Sequence, residues 1–350
     1  MKIILLLLFL FIPFRCQAIS AESYVVMDYD TGRVLMSKSE EKKKLIASTT
    51  KIMTCIIALE NGDLNSIRKV GNEVLKAYGS GIYVQVGEEM SLENLLYGLM
   101  LRSGNDAAIE IAYHISGNLE KFVALMNQKA YELGMKDTTF LNPHGLEEDD
   151  GSGNVSTAKD MAILMRYALQ NEMFLKIIGT KIHTVKGEGK TYVWHNKNKL
   201  LSMSEYALGG KTGYTKKAKR TLVTASRKDD KTCIVVTLND GNDFLDHKNL
   251  CDDVFEDYQR VTLVDKETFI FSENLNPNYY LERSLYGLLK QDEVQKVRVE
   301  YQITNENSSE VGVVQVFLKD ELLASEKILN KLEEKKEGFF TKFLRWLFSW

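Results

Sequence analysis

Ser48-Thr49-Thr50-Lys51 is the stretch on which the reading of this chain turns. A serine hydroxyl is a poor nucleophile until a base takes its proton. At the start of a helix, residues three apart lie on one face, so Lys51 can aim its amine at the Ser48 hydroxyl. A lysine serves as that base only when burial or a nearby cation lowers its pKa. Taken alone, Ser-x-x-Lys describes a capped amphipathic helix equally well, so the rest of the chain must decide.

Upstream, residues 24–28 and 33–36 read as two short strands around Asp30-Thr31-Gly32, a hairpin signal. Downstream, residues 49–60 read as a helix stopped by Asn61-Gly62. Residues 119–133, stopped by Gly134, and residues 161–169, with Ser156 as the candidate cap, repeat the three- and four-residue apolar spacing. Residues 220–227 and 232–238 are β-rich, and residues 244–258 look helical. Strands thus lie at both ends of a helical middle, which predicts an α+β fold with one sheet built from both chain ends. Near residue 261 the texture changes to alternating segments such as Val297-Arg298-Val299-Glu300-Tyr301, predicting a small, mostly β domain over residues 261–330. A charged linker and an apolar tail occupy residues 331–350.

Two further polar elements accompany the first. Ser103-Gly104-Asn105 interrupts two apolar helical stretches, and Lys211-Thr212-Gly213 precedes the strand predicted from Arg220. Singly, the one is a turn with a helix cap and the other a basic surface hairpin. In this order, the three together match the active-site set of penicillin-binding proteins and class A β-lactamases. Further segments, Glu60-Asn61-Gly62, Asn142-Pro143-His144-Gly145-Leu146 and residues 101–108, 156–162 and 209–215, extend the likeness. Over residues 22–260 the chain resembles the D-alanyl-D-alanine carboxypeptidases of the low-molecular-weight penicillin-binding type, most closely their Gram-positive and sporulation-associated members. That family often has glycine where Lys219 stands.

The resemblance implies a penicillin-binding/β-lactamase-like domain: an antiparallel sheet with helices on both faces and a helical subdomain. It also implies roles. Ser48 attacks the carbonyl of the penultimate D-Ala, and Lys51 takes its proton. Ser103 relays a proton to the leaving amine, and Asn105 binds the substrate backbone and orients Lys51. Lys211 and Thr212 bind the substrate and its terminal carboxylate, with Gly213 between them and Tyr214. The backbone N–H groups of Ser48 and Tyr214 form the oxyanion hole. The implied partners are a peptidoglycan stem peptide ending in D-Ala-D-Ala and β-lactam antibiotics as covalent inhibitors.

A β-lactamase would place a glutamate three residues before Leu141-Asn142, where this chain has Thr138. Without that base, a penicilloyl adduct should persist. A silent penicillin sensor of the same fold remains the non-enzymatic alternative, although all three motifs are intact. The histidines, His114, His144, His183, His195 and His247, form no tight ligand pair, so no metal or other cofactor is expected. Of the aromatics Tyr78, Tyr83, Trp194 and Tyr214, only Tyr214 is expected to line the cleft, the others being partly buried packing residues. The charge run at residues 40–44 reads as a solvated loop.

Composition sets the remaining bounds. The 350 residues are 44% hydrophobic and 27% charged, enough for a real core. A formal net charge of −3 gives no basic footprint for nucleic acid. Met1-Lys2, an apolar run over residues 3–12 and Cys16-Gln17-Ala18 read as a secretory signal peptide over residues 1–18. Phe14 and Arg15 argue against a lipoprotein site at Cys16. Three cysteines remain, Cys55, Cys233 and Cys251, with no close spacing, and whether Cys233 and Cys251 pair is left open.

In the tail, Thr341, Lys342, Arg345 and Ser349 fall within an arc of roughly 100° of a helix whose other positions are apolar. Twelve residues of helix measure only about 18 Å, short of a bilayer's core. The expectation is an in-plane amphipathic helix on the outer face of the cytoplasmic membrane, with Trp346 and Trp350 at the interface. The carboxypeptidases this chain resembles are tethered in that way.

Overall fold

A computed structural model of the chain describes residues 18–187, 189–269, 275–306 and 308–331. The expected signal segment, save residue 18, and the expected tail helix lie outside the described residues.

The predicted hairpin is present as β1 (Ser23–Asp28) and β2 (Val34–Lys38). Three later strands, β3 (Ala207–Thr215), β4 (Lys219–Lys228) and β5 (Lys231–Asp240), complete an antiparallel sheet in the order β2-β1-β5-β4-β3. The β1–β5 pairing joins the two ends of the domain, with Ser23 opposite Leu238 and Asp28 opposite Cys233. Successive side chains of a strand point to opposite faces. Val25, Met27, Ile234 and Val236 face the main core, whereas Val26, Cys233 and Val235 face a second cluster. Both faces are covered, so these strands read as unbroken apolar runs.

The main core holds α1 (Lys51–Asn61), α2 (Leu92–Leu101), α3 (Asn105–Ser116), α4 (Leu119–Glu132), α5 (Ala158–Ala168) and α6 (Glu172–Gly179). A short α7 (Leu200–Met203) follows, and α8 (Asp243–Asp257) covers the opposite face with Leu250, Cys251, Val254 and Phe255. The α4 cap is Asn118, whose side chain accepts from Lys121 N at 2.8 Å. At α5 the cap is Thr157 and not the expected Ser156: Thr157 Oγ1 accepts from Asp160 N at 3.0 Å, while Ser156 sits in a short strand and bonds the Thr138 hydroxyl. α1 begins at Lys51, two residues later than predicted, because Ala47–Thr50 form a tighter 3-10 turn.

The C-terminal part is β-rich as predicted, but its first strand, Tyr258–Val264, runs on directly from α8, so the compositional change falls inside a strand. That strand pairs with Leu285–Lys290, and a four-stranded ladder contains Val297–Ile303, Glu310–Leu318, Glu321–Asn330 and Tyr279–Tyr280. The Tyr258–Val264 and Leu285–Lys290 pair, with the turn after it, docks on the β1–β2 turn. The Asp28 carboxylate accepts from Leu288 N at 3.2 Å, Arg260 pairs with Asp30 at 2.7 Å, and Arg33 grips Glu293 through two nitrogens. No helix among the described residues is long and apolar enough to cross a membrane.

Candidate active site

Ser48 sits in the 3-10 turn, with Lys51 immediately following at the first position of α1. Lys51 is fully buried, and its Nζ lies 3.1 Å from Ser48 Oγ, 2.7 Å from Asn105 Oδ1 and 2.6 Å from the His144 carbonyl oxygen. The two shorter contacts use two N–H bonds. A neutral amine has only two, so its lone pair is left facing Ser48. Burial, then the Lys211 and Lys197 cations, hold the Lys51 pKa well below that of an ordinary lysine. In its neutral form Lys51 can take the Ser48 proton across this contact.

The loop at residues 142–146 supports this arrangement from beneath. Asn142 Oδ1 accepts from Gly145 N at 2.7 Å, and the Thr54 hydroxyl donates to the Pro143 carbonyl at 2.6 Å. Gly145 has a φ of 89°, and a Cβ there would lie 1.9 Å from the Ala47 carbonyl oxygen, so only glycine lets the loop reach the turn that carries Ser48. His144 contributes its carbonyl; burial and the Lys51 charge push its ring down to about 3, so it stays neutral.

Ser103 joins α2 to α3 in the left-handed region, at a φ of 62°, and is nearly fully buried at the cleft floor. Asn105 opens α3; its Nδ2 donates to the Tyr78 carbonyl at 2.6 Å and its N–H to the Ser80 carbonyl at 2.8 Å, fixing the side chain that holds Lys51. Lys211 to Tyr214 lie within the edge strand β3, which precedes β4, the strand predicted from Arg220. A Cβ on Gly213 would meet Thr221 Oγ1 at 2.3 Å and Ser48 N at 3.0 Å, so this glycine brings β3 against Ser48. Lys211 is buried, donates to the Thr212 carbonyl at 2.6 Å, and is pushed down to about 7 by burial and by Lys197.

Ser48, Ser103, Thr212, Gly213 and Tyr214 thus line one cleft of about 370 Å³, with Lys51, Asn105 and Lys211 behind its wall. The sequence reading missed six more lining residues, Ser80, Lys197, Lys199, Arg220, Asp243 and Phe244. Lys197 donates to Ser80 Oγ at 3.0 Å, and Arg220 stands 3.8 Å from the nearly buried Asp243 at the start of α8. Loops carry Ser80, Lys197 and Lys199, whereas Arg220 stands at the start of β4 and Asp243 and Phe244 at the start of α8, and nothing in their spacing marks them. Tyr78 and Tyr83 are exposed and not packed as expected, whereas Trp194 is buried. Thr138 bonds Asp160 and Ser156, and the one carboxylate lining the cleft among the described residues, Asp243, faces Arg220.

Residues 13–242 match the family profile of peptidase S11, D-alanyl-D-alanine carboxypeptidase. The chain is 31% identical to D-alanyl-D-alanine carboxypeptidase DacF of Bacillus subtilis, over 94% of this chain and 90% of that one. The crystal structure of D-alanyl-D-alanine carboxypeptidase DacD from Francisella tularensis superposes with a TM-score of 0.69 at 26% identity, covering 89% of this chain and 93% of that one. Penicillin-binding protein 5 from Haemophilus influenzae shares the fold, with a TM-score of 0.73 at 22% identity over 89% of this chain and 97% of that one.

Proposed function

The chain belongs to the D-alanyl-D-alanine carboxypeptidase family and is a serine-type D-Ala-D-Ala carboxypeptidase, and from that premise we propose how its residues divide the reaction. The carrying observation is the contact between Lys51 Nζ and Ser48 Oγ inside a wall that supplies two other acceptors to the amine. Neutral Lys51 takes the Ser48 proton as Oγ attacks the carbonyl of the penultimate D-Ala of a peptidoglycan stem peptide. The oxyanion forms between the backbone N–H groups of Ser48 and Tyr214; one such donor contributes roughly 3 kcal/mol in a serine peptidase. Ser103 passes a proton to the departing D-Ala amine. Water then hydrolyses the acyl-enzyme.

Thr212 and Lys211 hold the substrate, and Arg220, oriented by Asp243, adds a guanidinium for the terminal carboxylate. A β-lactam acylates the same serine. With Thr138 committed to Asp160 and Ser156, no glutamate stands where a lactamase keeps its deacylating base, which favours a long-lived penicilloyl adduct. Ser48→Ala should abolish D-Ala release from a diacetyl-Lys-D-Ala-D-Ala peptide, a loss of on the order of 10⁴-fold or more, with the fold retained. Activity within tenfold of the parent would remove Ser48 from the mechanism.

For location, the sequence of residues 1–18 supports export, and the apolar and basic pattern of residues 339–350 supports a tail lying in the outer face of the cytoplasmic membrane. Deleting residues 338–350 should move the protein to the soluble fraction with D-Ala release unchanged. Continued sedimentation with membranes would place the anchor elsewhere.

A further inference from the structure

Cys233 lies on β5 and Cys251 on α8, in the small apolar cluster that attaches this helix to the sheet. Both side chains are buried, and their Sγ atoms stand 3.4 Å apart as free thiols in contact. Their cluster neighbours, Val26, Val235, Leu250, Val254 and Phe255, are apolar. Among the described residues no group of three His, Cys, Asp or Glu side chains could hold a metal, so a ligand pair is not the better explanation. A disulfide needs the sulfurs about 1.4 Å closer, at roughly 2.05 Å. Cys55 belongs to the main core on the other face of the sheet, with no cysteine in its cluster.

We propose that Cys233 and Cys251 form a disulfide that staples α8 to the central sheet. The bond closes the 18-residue separation between them, which contains Asp243 and the first turns of α8. It therefore fixes the helix whose start supplies one wall of the cleft. The two thiols give up two protons and two electrons to an exchanging disulfide, either oxidised glutathione or a dithiol oxidase, which is reduced to two thiols. The attacking species is a thiolate. In the folded protein the Cys251 contact and burial raise the Cys233 thiol well above its ordinary range. Exchange accordingly takes place during folding, before α8 seals the pair. Folding in an oxidising compartment produces the staple, and the reduced native protein acquires it slowly.

The test uses residues 19–350, the chain expected after signal cleavage with its three cysteines, unfolded in reductant and refolded in a buffer of oxidised and reduced glutathione. After an acid quench it is alkylated under denaturing conditions and digested. The expected product is a cross-linked peptide joining Cys233 to Cys251, with Cys55 alkylated. The melting temperature should fall by about 5–10 °C on adding reductant. Cys251→Ser should lose that dependence, and Cys55→Ser should keep it. Alkylation of all three cysteines, or a bond to Cys55, would overturn the proposal, and the alkylation pattern needs no variant to fold.

Discussion

Residues 258–331 bury Leu263, Leu285, Leu289, Val314, Val316 and Ile328, and among the described residues no Ser, Thr, Asn, Asp, Glu, Lys, Arg or His beyond His247 is buried. The body before it buries Lys51, Lys211, Asn105, Ser103 and Glu110, and holds Ser103 and Lys219 at positive φ. The strands of the first largely alternate, whereas β1, β4 and β5 of the second are buried on both faces. The difference is that one buries an apolar core alone, whereas the other keeps two lysine amines out of water beside a serine. Burying an ammonium costs several kcal/mol, and here that cost lowers the proton affinity the chemistry depends on. Stability and activity should therefore separate along the chain.

The largest separation is expected at Lys211. Lys211→Met should lower kcat/KM for D-Ala release by on the order of 10³-fold, comparable to losing an oxyanion donor. It should also stabilise the fold by about 1–3 kcal/mol near pH 6, because an apolar side chain replaces a buried charge. The sign follows from linkage. The folded pKa of about 7 is below the unfolded value near 10.5, so the unfolded chain binds more protons between those pH values. Wild-type stability thus rises with pH across that window, and the variant should rise less. Urea titrations at pH 6 and 9 read both; lower stability at pH 6 would mean that the cation holds the fold together.

The converse change lies in the C-terminal core. Leu289→Ala removes a fully buried side chain and should cost about 2–5 kcal/mol, with kcat/KM within twofold of the parent below the melting transition. A parallel fall in kcat/KM would show that the β unit shapes the cleft through its contacts with Asp28 and Asp30.

The smallest effect tests strain. Lys219 has a φ of 61° at the start of β4, a conformation that costs an L-residue roughly 1 kcal/mol. Lys219→Gly should raise the melting temperature by about 1–3 °C with activity unchanged. A lower melting temperature would show that the lysine makes up for its backbone.

Much of this was legible in the sequence, for reasons that differ by residue. Ser48 with Lys51, and Ser103 with Asn105, are local pairs whose spacing fixes their relative position. β1, β4 and β5 carry the apolar runs that a sheet covered on both faces requires. β3 was hidden because Gly209, Gly210 and Gly213 are residues that strands disfavour, and at Gly213 the glycine admits the Ser48 backbone. The His144 carbonyl is a backbone atom with no signature of its own. Lys197, Arg220 and Asp243 reach the cleft only through tertiary folding, and in the sequence they look like ordinary surface charges.

The central claim is that Ser48, deprotonated by Lys51, is the acylated residue. Incubation with benzylpenicillin, followed by digestion and mass spectrometry, tests it directly. One intact penicilloyl group is expected on the peptide containing Ser48, surviving for minutes or longer, and absent from Ser48→Ala. An adduct on another residue, or rapid repeated hydrolysis of the antibiotic with none retained, would contradict it.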